Sequence, residues 1–228
     1  MNRADHLAQN GFALYKDVLP NKTLYEIVYW KETWDLPVRG HDVDGKYHTQ
    51  FDNEVRWANY WTHPLSDHRA VQMLRNTTDE IAKTLLKSPV MYHCDASVLT
   101  ELSTAIRPHV DTPHRHEPWN DKIDNRLAIQ MAAPLHEFKS HCGTTAFYPG
   151  SHLKHWDIKA CYSGHFDNEF LKGHVQPPTS FGDVAVWDAR TLHSQMPNLS
   201  ERSRYMLLFN YVEERIVDDL MDYENSLV

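Results

Sequence analysis

The segment RLAIQMAAPL, residues 126–135, restricts the fold more than any other part of the sequence. Side chains alternate between the two faces of a β-strand, so residues two apart share a face. One face carries large apolar side chains, at Leu127, Ile129, Met131 and Leu135. The other carries small or polar ones, at Arg126, Ala128, Gln130 and Ala132. This alternation predicts a strand that packs against structure on one face and lines a space with the other.

Further strands are predicted on both sides of this segment. From about residue 90 the sequence consists of short β-type runs separated by turn signals, the pattern of a barrel or a sandwich. GDVAVWD (182–188) and RYMLLFNYV (204–212) continue the pattern, and Gly182 with Asp183 predicts a turn before the first of them. We therefore expect a mainly β core.

The N-terminal third has a helical pattern. Apolar residues after Pro20 fall on one helical face, and Ser66 can cap a second helix whose apolar residues are Ala70, Met73, Leu74, Ile81 and Leu85. Residues 36–63 have no clear period and are either an active-site wall or an irregular connection, of which the connection is favoured. We expect one domain over residues 1–228, with a helical part at about 1–88, a β core at about 89–213 and a short C-terminal tail.

Charge and composition exclude several classes of partner. The net charge is −8 without a run of Lys and Arg, which argues against nucleic acid. The N-terminal residues lack the apolar core of a signal peptide, and no stretch approaches the roughly twenty apolar residues of a membrane span. Cys94, Cys142 and Cys161 have no C-x-x-C spacing and are expected to be free thiols. A cytoplasmic protein is expected; the sequence carries no feature that sets its oligomeric state.

His109 and Asp111 are the first candidates for a metal site. They lie two residues apart, so on an extended strand end both side chains project to the same side and can bind one ion. The H-x-D pattern alone is weak evidence, because it occurs by chance in many sequences. Two imidazoles and one carboxylate on one face of an ion are typical of non-haem Fe(II) oxygenases, so a further histidine is needed from another strand.

His193 and Arg204 supply the missing features. His193 follows the predicted strand that ends at Asp188, and Arg204 begins another strand eleven residues later. An arginine inside a barrel is costly to bury unless it meets an anion, and its planar fork fits a carboxylate. A dicarboxylate co-substrate would provide that anion. Arg202 has the same strand parity and is the second candidate for this role.

Three blocks follow one another in the sequence: HVD (109–111), CGTTAFYPGSH (142–152) and GDVAVWDARTLHSQMPNLSERSR (182–204). Together they resemble the phytanoyl-CoA dioxygenase (PhyH-like) family of Fe(II)/2-oxoglutarate-dependent oxygenases. Asn198 matches an Asn that the family has after the distal His, and QNGFALYKDVL near the N-terminus resembles the family's opening. The family often has small residues directly after the distal His, whereas this sequence has Ser194 and Gln195.

The resemblance implies a double-stranded β-helix, a jelly-roll, cupin-like core with helices on one side. It implies Fe(II) bound by His109, Asp111 and His193, with 2-oxoglutarate and dioxygen as co-substrates. Arg204 would then pair with the distal carboxylate of 2-oxoglutarate. Further contacts to 2-oxoglutarate are expected from Gln130, whose parity points it into the cavity, and from Thr100 on the strand before HVD.

The segment TPHRHEPWNDKIDN, residues 112–125, has the composition of a polar loop interrupted by two prolines. Most of it is expected to face solvent. His114, Arg115 and Trp119 are candidates for contact with the substrate when the loop closes. His152 in the Pro-Gly-Ser-His turn is expected to be structural.

The reaction implied by the resemblance is hydroxylation of an unactivated C–H bond, with release of succinate and carbon dioxide. A coenzyme A thioester would need cationic residues and a long apolar channel, so a small polar metabolite, such as an amino acid, is expected as the substrate. Two other classes are a metal-dependent hydrolase that uses the same His/Asp/His set and a non-catalytic barrel that binds a small molecule. Neither explains an arginine inside the barrel.

Overall fold

The structure, a computed structural model, describes residues 2–31, 55–59, 69–99, 108–114, 116, 119, 125–137, 139, 141–154 and 173–226. Its helices are α1 (Arg3–Asn10), α2 (Asn21–Lys31), α3 (Arg69–Leu85) and α4 (Val217–Asn225). Its strands are β1 (Phe12–Tyr15), β2 (Val55–Asn59), β3 (Pro89–Leu99), β4 (Ala128–Pro134), β5 (Thr145–Phe147), β6 (Val184–Asp188), β7 (His193–Gln195) and β8 (Arg204–Glu213).

The strands form two antiparallel sheets. The larger sheet has the order β1-β6-β4-β8-β3-β2, and β5 pairs with β7 in the smaller one. The edge strands β1 and β2 lie in the N-terminal part that the sequence pattern assigned to helices, and β2 lies within the segment for which an irregular connection was favoured. Strands of four and five residues are too short to show a period of their own, and pairing with β6 and β3 determines their conformation.

The larger sheet has an outer face, which the helices cover, and an inner face, which the smaller sheet covers. The outer cluster joins strand residues such as Ile129, Met131 and Phe209 to Leu24 of α2 and Leu74 of α3. The inner cluster consists of Phe12, Ala132, Phe147, Ala185, Trp187, Met206 and Leu208. The prediction that β4 separates two environments is confirmed, since Ile129 and Met131 face outward and Ala132 faces inward.

A third apolar cluster lies beneath α4. It joins Leu220 of α4 to Leu127 and Ala128 at the start of β4, and it includes Trp119 and Val212. Across the described ranges, no helix has both the length and the apolar content that crossing a bilayer requires.

The turn before β6 forms as predicted. Gly182 adopts a left-handed backbone with φ of 98°, which favours glycine. The buried carboxylate of Asp183 accepts hydrogen bonds from the Ser180 N–H at 2.7 Å, the Asp17 N–H at 3.1 Å and the Lys16 ammonium at 2.7 Å. This turn therefore joins the start of β6 to the end of β1, its neighbour in the sheet.

Candidate metal centre

His109, Asp111 and His193 lie together, each with one ligand atom within 4.8 Å of the others. Nε2 of His193 is 3.5 Å from one carboxylate oxygen of Asp111, and Nε2 of His109 is 3.9 Å from the other. The two imidazole rings are 4.3 Å apart between centroids. Two nitrogens and one carboxylate group at this spacing can hold one metal ion.

Backbone hydrogen bonds bring the two distant segments together. The N–H of His109 donates to the carbonyl of His193 at 2.9 Å, and the N–H of His193 donates back to His109 at 3.0 Å. The N–H of Asp111 donates to the carbonyl of Ala189 at 2.8 Å. The extended HVD segment is thus paired with the chain around β7, which places all three side chains on one side.

Neighbouring groups orient the imidazole of His193 and the carboxylate of Asp111. Nδ1 of His193 lies 2.9 Å from the carbonyl of Thr191, and because a carbonyl only accepts, Nδ1 carries the proton and Nε2 keeps its lone pair for a metal. The indole N–H of Trp187 donates to Asp111 at 2.8 Å. Trp187 was not predicted as a site residue, although its position in the GDVAVWD strand was visible in the sequence.

A buried ionic cluster lies next to the site. Asp188 is fully buried and accepts hydrogen bonds from Nε of Arg190 at 2.9 Å, Nη2 of Arg190 at 2.7 Å and Nε of Arg126 at 2.9 Å. Burial alone would raise the pKa of Asp188, but the hydrogen bonds and charge of Arg190, with the charge of Arg126, hold that pKa below its usual range. The sequence analysis did not identify this cluster.

Arg204 lies on the inner face at the start of β8 and is 1% exposed. Its Nη1 donates to the carbonyl of Gly143, and its Nη2 is 3.3 Å from the sulfur of Met206. Burial lowers the pKa of Arg204 to about 9. Arg202 is exposed, and its carbonyl accepts hydrogen bonds from Asn198 and Ser200. The two candidates for the anion-binding role thus differ in burial, since Arg204 is buried and Arg202 is exposed.

A small cavity lies between the inner face and the smaller sheet. It is lined by Ala132, Pro134, Thr145, Phe147, Pro177, Thr179, Ala185 and Met206. Met206 contacts Arg204, while the ring of Phe147 is 6.3 Å from that of His193 between centroids. The cavity wall thus extends from the buried arginine toward the candidate metal ligands.

Polar atoms are also buried near Arg204. Oγ1 of Thr144 and Nε2 of Gln195 have no hydrogen-bond partner among the residues that the structure describes. Thr144 directly follows Gly143, and Gln195 pairs with Thr145 between β7 and β5. Gln195 therefore adds a buried amide at a position where the family often has a small residue.

Other predicted residues have different environments. Gln130 lies on β4 opposite Asn210 of β8 and Trp187 of β6. His152 has the structural position expected of it, with Nε2 at 2.9 Å from the carbonyl of Ala8. Cys94 and Cys142 form no disulfide. Thr100, Arg115 and Cys161 lie outside the described residues, as do Ser66 and most of segment 36–63.

The loop after HVD differs from the expectation that it faces solvent. Thr112, His114 and Trp119 are all buried, so that expectation is wrong for these residues. Trp119 packs beneath α4, with its ring 5.6 Å from that of Tyr223 between centroids. Burial lowers the pKa of His114 to about 4, which leaves its imidazole neutral at physiological pH. A contact of His114 or Trp119 with substrate stays a prediction.

The sequence matches the model of the Phytanoyl-CoA dioxygenase (PhyH) family over residues 7–206, most of the chain. The chain belongs to the phytanoyl-CoA dioxygenase family. The predicted membership is confirmed, and the match extends toward the N-terminus beyond the region in which the motifs lie.

Solved structures with a similar fold include other non-haem enzymes. The α-ketoglutarate-dependent epimerase SnoN from nogalamycin biosynthesis has a TM-score of 0.72 and 17% identity, covering 92% of this chain and 82% of SnoN. HygX from Streptomyces hygroscopicus, with nickel and 2-oxoglutarate bound, has a TM-score of 0.71 and 11% identity, covering 93% of this chain and 86% of HygX. The carbocyclase SnoK from nogalamycin biosynthesis has a TM-score of 0.66 and 19% identity, covering 92% of this chain and 83% of SnoK. These likenesses confirm the jelly-roll fold of this family member, although its larger sheet does not close into a barrel within the described residues.

Proposed function

We propose that the protein is an Fe(II)- and 2-oxoglutarate-dependent dioxygenase that hydroxylates a C–H bond of a small polar metabolite. The observation that carries the proposal is the His109, Asp111 and His193 cluster, set beside a cavity whose wall extends to the buried Arg204. Family membership and the binding of 2-oxoglutarate by HygX support it.

The donor set fits iron. His109, Asp111 and His193 would supply two nitrogens and one carboxylate oxygen, an arrangement that leaves further coordination positions for small molecules. When bound, Fe(II) with 2-oxoglutarate and dioxygen supplies the oxidation of a C–H bond, with release of succinate and carbon dioxide. Trp187 and the carbonyl of Thr191 hold two of the three ligands in place.

Arg204 would bind the distal carboxylate of 2-oxoglutarate. Burial lowers the pKa of Arg204, and a carboxylate beside the guanidinium would stabilise its charged form. The planar guanidinium can also bind both carboxylate oxygens at once. The side chains of Ala132, Phe147 and Ala185 would keep water away from the co-substrate.

Hydroxylation is proposed from the ligand set. Halogenating relatives have a small residue where this chain has Asp111, so a carboxylate at this position favours hydroxylation. The epimerase SnoN and the carbocyclase SnoK share the fold, and one fold supports several reactions. The product therefore has to be identified directly by mass spectrometry, in which a hydroxylated product gains one oxygen atom.

The test is consumption of 2-oxoglutarate and release of succinate by purified protein reconstituted with Fe(II). We expect slow turnover without substrate, faster turnover with an accepted metabolite from a panel, and none with His193→Ala. Arg204→Ala should raise the 2-oxoglutarate concentration for half-maximal turnover by at least about tenfold, since it removes a charge-assisted bidentate contact. Arg202→Ala, at an exposed position, should leave this 2-oxoglutarate concentration nearly unchanged.

Protein that neither binds nor consumes 2-oxoglutarate with Fe(II) would show the proposal to be wrong. Hydrolysis of a substrate by the zinc-loaded protein without 2-oxoglutarate would favour the metal-dependent hydrolase. A larger loss from Arg202→Ala than from Arg204→Ala would transfer the anchoring role to Arg202. Melting temperatures of all variants separate these effects from failure to fold.

A further inference from the structure

Two amide side chains lie on paired strands at the inner face, and their oxygens lack hydrogen bonds within the described part of the chain. Gln130 of β4 pairs directly with Asn210 of β8, and Asn210 is 4% exposed. Among the described residues, neither the buried Oε1 of Gln130 nor the buried Oδ1 of Asn210 has a hydrogen-bond partner.

This arrangement is unfavourable in the protein alone. A buried amide that has left water without gaining a partner destabilises the folded state. Apolar residues of similar size, such as Leu or Met, would fill the same space without that cost, and most buried polar groups in proteins are satisfied. Two unsatisfied amide oxygens on directly paired residues therefore indicate a ligand that donates hydrogen bonds to them.

The strand register places the amide pair beside the candidate metal ligands. Gln130 pairs with Trp187 across β4 and β6, and the indole of Trp187 donates to Asp111. Arg204 lies six residues before Asn210 on the same strand, which is about 20 Å along an extended chain. Asn210 is therefore remote from the residue that would bind the distal carboxylate of 2-oxoglutarate, and it lies on the side of the inner face where Trp187 contacts Asp111.

The surroundings of the pair favour an uncharged ligand. The described neighbours at adjacent inward positions of β4 and β8 are Ala128, Ala132, Leu208 and Val212, all apolar. On the other side of Asn210, His93 of β3 is its strand partner, and Nε2 of His93 lies 3.9 Å from a carboxylate oxygen of Glu224, so this pair already matches its own charges. Each amide offers donors and an acceptor but no charge. An ammonium or carboxylate buried against this pair would lose its hydration without gaining an opposite charge, whereas a hydroxyl or carboxamide could satisfy both amides.

We propose that Gln130 and Asn210 form a subsite for an uncharged hydrogen-bonding group of the substrate, a hydroxyl or a carboxamide. The inference rests on the proposed function, because it assigns the substrate class of that same active site. It gives Gln130 a substrate contact, in place of the contact to 2-oxoglutarate that strand parity and family resemblance predicted.

The first experiment measures thermal stability without ligand. Asn210→Leu and Gln130→Met remove an unsatisfied amide, so each should leave the melting temperature unchanged or raise it by roughly 3–6 °C. Asn198→Leu is the matched control: Asn198 is equally buried, but its amide donates to the Arg202 carbonyl at 2.8 Å and accepts from the Ser200 hydroxyl at 2.6 Å. That variant should melt at a lower temperature than the wild type.

The second experiment measures binding to protein loaded with Ni(II) and 2-oxoglutarate. The probes are uncharged polyols, monosaccharides and carboxamides, with charged amino acids and dicarboxylates for comparison. At least one uncharged probe should raise the melting temperature of the wild type. Asn210→Leu should weaken its affinity by about tenfold or more, while the affinity for 2-oxoglutarate stays within about twofold of the wild type.

Three results would overturn the subsite. The first is a loss of stability in Asn210→Leu as large as that in Asn198→Leu. The second is a loss of 2-oxoglutarate affinity in Asn210→Leu or Gln130→Met. The third is binding of charged probes alone, or of no probe, by the wild type. If the wild type turns over 2-oxoglutarate, any of these results refutes the subsite alone and leaves the dioxygenase assignment intact. Absence of 2-oxoglutarate turnover in the wild type would instead refute the dioxygenase.

Discussion

Trp187 has two functions within one side chain. Its ring lies 5.4 Å from that of Phe147 and 5.1 Å from that of His193 between centroids, so it fills the space behind the candidate metal centre. Its indole N–H donates to one carboxylate oxygen of Asp111. A carboxylate held by this bond has a defined orientation before any metal binds, which reduces the ordering required on binding.

Trp187→Phe keeps the aromatic packing and removes the hydrogen bond to Asp111. We expect the variant to bind Ni(II) or Mn(II) about tenfold more weakly, since partners that orient metal ligands typically contribute tenfold or more in affinity. Calorimetric titration of metal-free protein measures the change. Phe12→Leu is the control, because Phe12 belongs to the same apolar cluster but has no polar group. An equal loss of affinity in Phe12→Leu would assign the effect to packing.

The turn between α1 and β1 joins the N-terminal helix to the chain around the candidate metal centre. Gly11 ends α1 in a left-handed conformation with φ of 84°, and its N–H donates to the carbonyl of Leu7. Its carbonyl accepts from the Thr191 hydroxyl at 2.7 Å and from the Asp188 N–H at 2.9 Å. This close approach holds α1 and β1 against the segment that leads to His193.

Gly11→Ala should strongly destabilise the fold. A Cβ at this position would lie 2.4 Å from Oγ1 of Thr191 and 2.7 Å from Nδ1 of His152. Backbone strain of about 1–2 kcal/mol adds to overpacking of about 1–3 kcal/mol, and each kcal/mol lowers the melting temperature by about 2–4 °C.

Gly150→Ala is the matched control for this turn. Gly150 also has a left-handed φ, of 75°, but no atom of the described residues lies within 4 Å of its added Cβ. The unfolding free energy of Gly150→Ala should therefore fall only by the contribution of backbone strain. Equal unfolding free energies for the two variants, from urea denaturation, would contradict the close approach at Gly11.

The Asp188 cluster connects the helices, the sheet and the candidate site. Arg126, just before β4, donates both to Asp188 and, at 3.2 Å, to the carbonyl of Leu85 at the end of α3. The next residue, Ala189, accepts the N–H of Asp111. A buried charge therefore lies where three parts of the fold meet, and its neutralisation would remove the anion that Arg190 and Arg126 both contact.

Asp188→Asn should lower the free energy of unfolding by about 3–5 kcal/mol at neutral pH, the usual cost of breaking a buried ion pair. The pKa of Asp188 is lower in the folded protein than in the unfolded chain. Its ionisation thus stabilises the fold above the unfolded pKa of about 3.9, and that contribution is lost as the pH falls through the folded pKa. Wild type and variant should converge in acid.

Urea unfolding at neutral and acidic pH measures this convergence. Glu80→Gln breaks the exposed ion pair with Lys83 and should leave stability nearly unchanged at either pH. A stability difference between wild type and Asp188→Asn that is independent of pH would show that the carboxylate charge is not responsible.

Local patterns in the sequence determined the faces of one strand, the family and the candidate metal ligands. The period-two alternation of residues 126–135 assigned outer and inner faces, because side-chain direction in a strand depends only on position along it. The order of the HVD, PGSH and distal His blocks indicated the family, and the H-x-D pair with a distal His selected three residues that the structure brings together.

Only the tertiary structure decided the contacts between segments that are distant in sequence. Trp187 reaches Asp111, Asn210 faces Gln130, and α4 covers Trp119, because strand register and helix packing bring these residues together. It also distinguished Arg204 from Arg202, which have the same parity but opposite burial. Periodicity reports the direction of a side chain, whereas burial and hydrogen-bond partners depend on which other segment packs against it.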